Sequence, residues 1–309
     1  MKKKDGLKMR QKRLVIGLGG NAIMNPSKGQ ELSKELNALS GVAASIANAS
    51  KKFDIVLTHG NGPQVGDELL KNLNTRLEPL PLYLLTAETQ ASIGSMLEAN
   101  INRFAKKKFV SLITHAIVAP NDKAFEEPSK PIGPFYTKSQ ISKLSSRTGL
   151  SYARFKEGYR LVVPSPEPKE IVEANAVKAL LGKFNVICCG GGGIPVVKEG
   201  SRLKGVNAVI DKDFATQLIA TIINADMMVL LTNVEFVYAD FSDKNSEIRK
   251  IKASELKSMV KNFEEGSIRP KVLAAIRFVE QTKKKAYIGH YRRLDDIMAG
   301  RSGTVVLPD

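Results

Sequence analysis

The 309-residue chain has no tryptophan, only two cysteines and three histidines, and aromatic residues make up just 6% of it. These shortages exclude several classes. Cys188 and Cys189 are adjacent, which suits neither a structural disulfide nor the ligand spacing of a zinc site. Free thiols fit a reducing cytoplasm. Long apolar runs are also missing: Met227 to Leu231 falls far short of the roughly 20 residues that span a bilayer, so no membrane role is expected. The N-terminal Met1 to Arg13 is basic and lacks the apolar core and cleavage site of a secretory signal.

Acidic residues are outnumbered, 31 against 47 Lys and Arg, for a formal charge of +16. Residues 1 to 13 hold seven of the basic residues and one Asp, so this tail supplies +6 and leaves +10 scattered over the rest. Neither zinc-finger spacing nor an aromatic-basic RNA-binding signature is present, so a nucleic-acid reader is supported by the tail alone and is not expected. A positive surface equally suits small anionic substrates.

With 43% hydrophobic residues the chain can bury a large core. Residues 13 to 16 start a short apolar strand that runs into Gly17-Leu18-Gly19-Gly20-Asn21-Ala22. That string fits the dinucleotide fingerprint G-x-G-x-x-G/A. Its context does not: Met24-Asn25-Pro26-Ser27 interrupts the helix that should follow, and the next strand ends in His59-Gly60 where a ribose-binding acid should stand. Helical spacing over residues 31 to 51 predicts a crossover helix, and residues 53 to 58 a parallel second strand ending in His59-Gly60-Asn61-Gly62. His59 has no identifiable partner and reads as structural.

Further along, a helix is expected over 86 to 106 and a strand over 110 to 118. Residues 119 to 166 form a long polar excursion closing with a short strand at 159 to 163, either a lid or a surface insertion. A helix over 171 to 181, a strand over 186 to 189, a helix over 214 to 224, a strand over 227 to 231 ending at Thr232-Asn233, and a helix over 253 to 260 follow. A last helix carries Pro270 in its first turn.

Two stretches bear chemistry. Gly190 to Gly193 leave the backbone bare, as a phosphate-binding turn requires and as an ordinary turn also does. Asp211-Lys212-Asp213 reads either as a lysine held between carboxylates for electrostatic work or as a capped helix start, with Asp213 accepting from the first turn. Lys271 near a helix N-terminus opposes the dipole, which favours an anionic ligand beside it.

GLGGNA at 17 to 22, THGNGPQVG at 58 to 66, KPIGPFYT at 130 to 137, VVPSPEPKEIVE at 162 to 173, GGGGIPV at 190 to 196, VIDKD at 209 to 213 and PKVLAAIRFVE at 270 to 280 resemble the carbamate kinases of the amino acid kinase superfamily, in order and spacing. The likeness covers about residues 14 to 306. It implies a three-layer α/β/α sandwich over 14 to 309 with a largely parallel central sheet, a small lid inserted at about 119 to 166, and a homodimer. It also implies reversible phosphoryl transfer between ATP and carbamate, giving ADP and carbamoyl phosphate, with Mg2+ carried on the nucleotide and no protein ligand for the metal. A phosphotransferase of this fold with another small acceptor is the competing reading, and a non-catalytic nucleotide-binding homologue a third.

Residue by residue, the resemblance implies that Lys130, Lys212 and Lys271 surround the phosphates and Asp211 orients lysines. Gly19, Gly20, Asn21, Gly60, Asn61 and Gly62, with Gly191 and Gly192 of the glycine run, would hold the carbamate or the transferring phosphoryl group. Asp213, Thr232, Asn233, Tyr238, Pro270 and Lys271 match the nucleotide side. Arg269 stands where the family usually has glycine, and Ala91 follows Gln90 where it usually has Gln-Gly.

Overall fold

Apolar residues concentrated at 14 to 18 and 55 to 57 build the centre of the molecule, whose computed structural model describes residues 11–19, 32–73, 78–243, 245–264, 266 and 268–309. The first half runs β1 (Lys12–Leu18), α1 (Leu32–Ala49), β2 (Phe53–His59), α2 (Gly62–Leu73), α3 (Leu82–Asn102), β3 (Phe109–Ser111), β4 (His115–Ile117), β5 (Lys130–Tyr136), α4 (Lys138–Thr148), β6 (Ser151–Phe155) and β7 (Gly158–Val163). The second runs β8 (Glu170–Ile171), α5 (Ala174–Leu180), β9 (Asn185–Ile187), β10 (Ile194–Glu199), β11 (Arg202–Gly205), α6 (Lys212–Ile222), β12 (Met227–Thr232), β13 (Val237–Tyr238), β14 (Glu247–Ile248), β15 (Lys250–Lys252), α7 (Ala253–Ser258), α8 (Ile268–Thr282), β16 (Lys285–His290), α9 (Leu294–Met298) and β17 (Thr304–Leu307).

Eight strands form the central sheet in the order β15-β17-β16-β12-β1-β2-β9-β3. From β16 to β3 all neighbours are parallel; β17 runs against β16, and β15 follows β17. Strand alternation divides the core in two. Leu14, Ile16, Leu18, Ile55 and Leu57 pack with Val42 and Ile46 of α1, Ile93 and Leu97 of α3, and Leu294 and Ile297 of α9. Val15, Val56, Val186 and Met228 pack with α5, α6, α7 and α8. The result is the three-layer sandwich, with each fully buried aliphatic side chain contributing roughly 1.5–3 kcal/mol of transfer free energy. Gly17 lies where α6 crosses closest: a Cβ there would sit 2.9 Å from Leu230 Cδ2 and 3.1 Å from Thr216. No larger residue fits without pushing α6 away.

The structure departs from the sequence reading in instructive places. Residues 110 to 118 are not one strand: β3 belongs to the central sheet, while β4 joins a second sheet, β11-β10-β4-β8. Buried Thr114 separates them and spends its backbone and hydroxyl on Gln90. The excursion is well organised, with β5, β7 and β6 forming an antiparallel sheet covered by α4. Thr137 caps α4 through a reciprocal box with Gln140, and Gly149 ends it at φ 68°. The strand expected at 186 to 189 stops at Ile187, because Cys189 turns into the left-handed region at φ 51°. The helix expected over 171 to 181 starts only at Ala174, after the two-residue strand β8. Among the described residues, no helix is long and apolar enough to cross a membrane.

Candidate active site

Parallel strands deliver their ends to one edge, and this is where the polar residues gather. Gly19 follows β1; Gly60 follows β2 and donates its N–H to Leu18 O at 3.0 Å. Asn61 opens α2, its carbonyl accepting from Val65 N at 2.8 Å and its side-chain amide donating to Thr89 Oγ1 at 2.9 Å. Gly191 rests on that amide at φ 64°, so close that a Cβ would lie 2.3 Å from Asn61 Nδ2.

The glycine turn is held from below by a buried relay. Gln90 Oε1 accepts from Thr114 N and Thr114 Oγ1, both at 2.8 Å, and Cys189 N donates to Thr114 Oγ1 at 2.7 Å. His59 lies beneath Gly190, where a Cβ would meet its Nε2 at 2.4 Å. Burial, with Lys212 nearby, lowers the His59 pKa to about 4 despite the hydrogen bond to Gly60 O. The ring is neutral at physiological pH, consistent with a structural role.

Opposite the glycines lie three ammonium groups and two carboxylates. Asp211, not Asp213, caps α6: Asp213 N donates to Asp211 Oδ1 at 3.0 Å. The other Asp211 oxygen receives Lys130 from the start of β5 at 2.5 Å. Asp213 turns inward and takes Lys212 on Oδ1 at 2.5 Å and Lys271 of α8 on Oδ2 at 3.1 Å.

Burial alone would raise the Asp213 carboxyl; the two lysines outweigh it and hold the group well below the usual carboxylate range. Lys271, stabilised by Asp213 and Asp211 against its own burial, is raised. Lys212 is lowered, because burial outweighs its share of Asp213 and Lys271 repels it. Lys130, Lys212 and Lys271 gather on Asp211 and Asp213 at the N-terminus of α6, where the helix dipole adds to their positive charge. Such a locus favours a bound anion.

These groups line one end of a cleft of about 1130 Å³. Of the residues singled out from sequence, Gly19, Gly60, Asn61, Gly191, Lys130, Asp211, Lys212, Asp213, Lys271, Thr232, Asn233 and Tyr238 all face it. Gly62, Gly192 and Pro270 do not line it. Gly62 is the first residue of α2, Gly192 packs on Ile210, and Pro270 lies within the first turn of α8. Gly20 and Asn21 lie outside the described residues.

The cleft also holds residues that sequence reasoning missed. Lys156 and Glu157 reach it from the turn between β6 and β7. The turn signal was legible: Lys156-Glu157-Gly158 separates Tyr152-Ala153-Arg154-Phe155 from an apolar strand. At the far end Phe236, Phe241 and the segment 261 to 264 supply a more apolar wall. Arg249 stacks over Phe236 at 4.7 Å, and Tyr238 meets Phe241 edge-on at 6.2 Å. Arg269 fastens that wall, donating to Phe263 O at 2.8 Å and Lys261 O at 3.1 Å. Among the described residues no group of three or more His, Cys, Asp or Glu side chains is placed to hold a metal ion.

A cationic, glycine-lined end joined to an apolar end is the shape of a phosphoryl-transfer cleft, and comparison with known proteins agrees. The model of the amino acid kinase family matches residues 12–290. A carbamate kinase of Pyrococcus furiosus is 38% identical over 96% of this chain and 99% of that protein. Carbamate kinase 2 of Staphylococcus aureus is 39% identical over 95% and 98%. The solved structure of Giardia lamblia carbamate kinase bound to AMP-PNP superposes with a TM-score of 0.87 at 35% identity, covering 96% of this chain and 99% of that one. The chain therefore belongs to the amino acid kinase family and, within it, to the carbamate kinases.

Proposed function

We propose that this protein transfers a phosphoryl group reversibly between ATP and carbamate, giving ADP and carbamoyl phosphate. The observation that carries the reading is the cluster of Lys130, Lys212 and Lys271 on Asp211 and Asp213, facing Gly19, Gly60 and Gly191 across the cleft. Carbamate brings its own nucleophilic oxygen, so the protein has no bond of its own to make. Its work is positioning and charge stabilisation. The backbone at Gly19, Gly60, Asn61 and Gly191 orients carbamate and the transferring group, a role that the family resemblance extends to Gly20, Asn21, Gly62 and Gly192. Lys212, deepest and least compensated, meets charge developing on the transferring oxygens, while Lys271 and Lys130 flank it. Asp211 and Asp213 hold the ammonium groups in place before substrate arrives, so little reorganisation remains for the reaction step. No proton need leave carbamate, which accords with a neutral, buried His59.

Thr232, Asn233, Tyr238 and Pro270 belong to the nucleotide side, together with Phe236 and the segment 261 to 264. Because both site carboxylates are engaged by lysines, Mg2+ enters as part of the nucleotide substrate rather than in a cage of protein ligands. The antiparallel sheet β5-β7-β6 with α4 acts as a lid that carries Lys130 in and out; its pivot is the contact of Gly133 with Gly66, where a Cβ on Gly66 would lie 2.1 Å from Gly133 backbone atoms. A homodimer and a cytoplasmic location complete the proposal.

An acceptor panel tests it. Purified protein with MgATP is offered carbamate, acetate, bicarbonate and small phosphate monoesters, and ADP release is followed. Carbamate should be preferred by at least about tenfold in kcat/KM, and preference for any other acceptor would refute the reading.

A further inference from the structure

Three lysines on two aspartates in the cleft do not account for the +16 of the chain. Its cause lies on the opposite edge. In a parallel sheet every strand enters at the same edge, and here nearly every entry is basic. Lys283, Lys284 and Lys285 precede or begin β16, Lys12 and Arg13 begin β1, Lys51 and Lys52 precede β2, Lys183 precedes β9, and Lys106, Lys107 and Lys108 precede β3. Strand register brings them level: Lys285 pairs across Met227 to Leu14, Leu14 to Ile55, and Asn185 to Phe109, so each cluster sits within a few residues of one line.

The acids along this line are already engaged. Asp54 pairs with Lys107, Asp226 accepts from Arg13 N, and Asp309 accepts from Ser254. Lys12, Lys52, Lys106, Lys183, Lys284 and Lys285 are exposed and form no ion pair with any described residue. Two aromatic rings interrupt the row at its β9–β3 end: Phe104 and Phe184 are 44% and 37% exposed, with Arg103 over the Phe104 ring at 5.7 Å.

We propose that this edge binds single-stranded RNA through its backbone, independently of sequence and away from the cleft. At a strand spacing of about 4.8 Å the row is about 24 Å long. It is a line of cations punctuated by exposed rings, which fits a chain of phosphates whose bases stack on aromatic faces better than it fits a flat lipid surface. None of its members touches the catalytic cluster.

The test is fluorescence anisotropy with a labelled 20-nucleotide oligouridine and the full-length protein, from 50 to 300 mM salt, alongside vesicles of mixed phosphatidylcholine and phosphatidylserine. About five phosphate contacts give a slope of log affinity against log salt near −3.5. The combined variant Lys52→Glu, Lys183→Glu, Lys284→Glu should lose three contacts, weakening binding ~100-fold at 0.1 M salt while leaving phosphoryl transfer and melting temperature unchanged. The combined Lys→Gln variant at the same positions should weaken it less, in the same direction. Deleting residues 2 to 10 should leave measurable binding that remains sensitive to the combined variants. Absence of oligouridine binding at 50 mM salt overturns the proposal, as does binding to vesicles alone. So does binding that vanishes with the tail and is indifferent to both combined variants.

Discussion

Replacing Lys212 by methionine separates function from stability at a single buried position. The side chain is 9% exposed and its ammonium lies 2.5 Å from Asp213 Oδ1. Its pKa is lowered by burial, so below that folded pKa the charge is costlier in the folded protein than in the unfolded chain. Lys212→Met removes that cost. Methionine conserves most of the aliphatic stem, and Asp213 keeps Lys271 at 3.1 Å, so no carboxylate is stranded. The melting temperature should therefore hold or rise. Turnover should fall by about 100- to 1000-fold, the usual loss when one preorganised transition-state donor is removed, about 2.7–4 kcal/mol. The assay is steady-state ATP formation beside calorimetric melting of the same preparation. A folded variant with wild-type kcat, or one that loses turnover only because it unfolds, refutes the assignment of Lys212 to transition-state stabilisation.

Asp213→Asn takes the partner from two lysines at once and should lower both kcat and stability. Because the Asp213 carboxyl titrates below its ordinary value, its contribution is present above about pH 3.9 and is lost as pH falls through the folded value, so the stability gap between wild type and variant should narrow below about pH 4 in urea titrations. His59 acts in the same direction in a higher window: its folded pKa is lowered from 6.5 to about 4, so wild-type stability should be level above pH 6.5 and decline towards pH 4. That decline is worth about 3 kcal/mol, and His59→Gln should flatten it; an unchanged profile in the variant contradicts a buried neutral ring. Gly66→Ala places a methyl against Gly133 backbone that cannot yield, so β5 and Lys130 should be displaced, with kcat reduced at least about tenfold while the main melting transition stays within a few degrees.

Much of this architecture was legible because its signals are local. The apolar runs of β1, β2 and β12 and the periodicity of α1, α3, α6 and α8 are properties of single segments, and a parallel sheet then follows from their alternation. The site was legible for a different reason: Gly190 to Gly193 and Asp211 to Asp213 are compact motifs whose family spacing is specific. What escaped depends on partners distant in sequence. Helix α2, to which the sequence reading assigned no element, is fixed when Leu69 and Val65 find Ile132 and Leu161 of the small sheet. The break between β3 and β4 is set by Gln90, 24 residues upstream of Thr114. Which aspartate caps α6 is a matter of two residues, decided when Lys212 and Lys271 claim Asp213. The lysine row is the extreme case, since no two neighbouring clusters in it are close in sequence.

The central claim is met most directly by ATP formation from ADP and carbamoyl phosphate with Mg2+, using purified wild-type protein with Lys212→Met as control. The account predicts ATP formation that is saturable in both substrates and lost by about 100-fold or more in the folded variant. A folded wild-type protein that binds ADP yet makes no ATP from carbamoyl phosphate, or a variant as active as wild type, would contradict it.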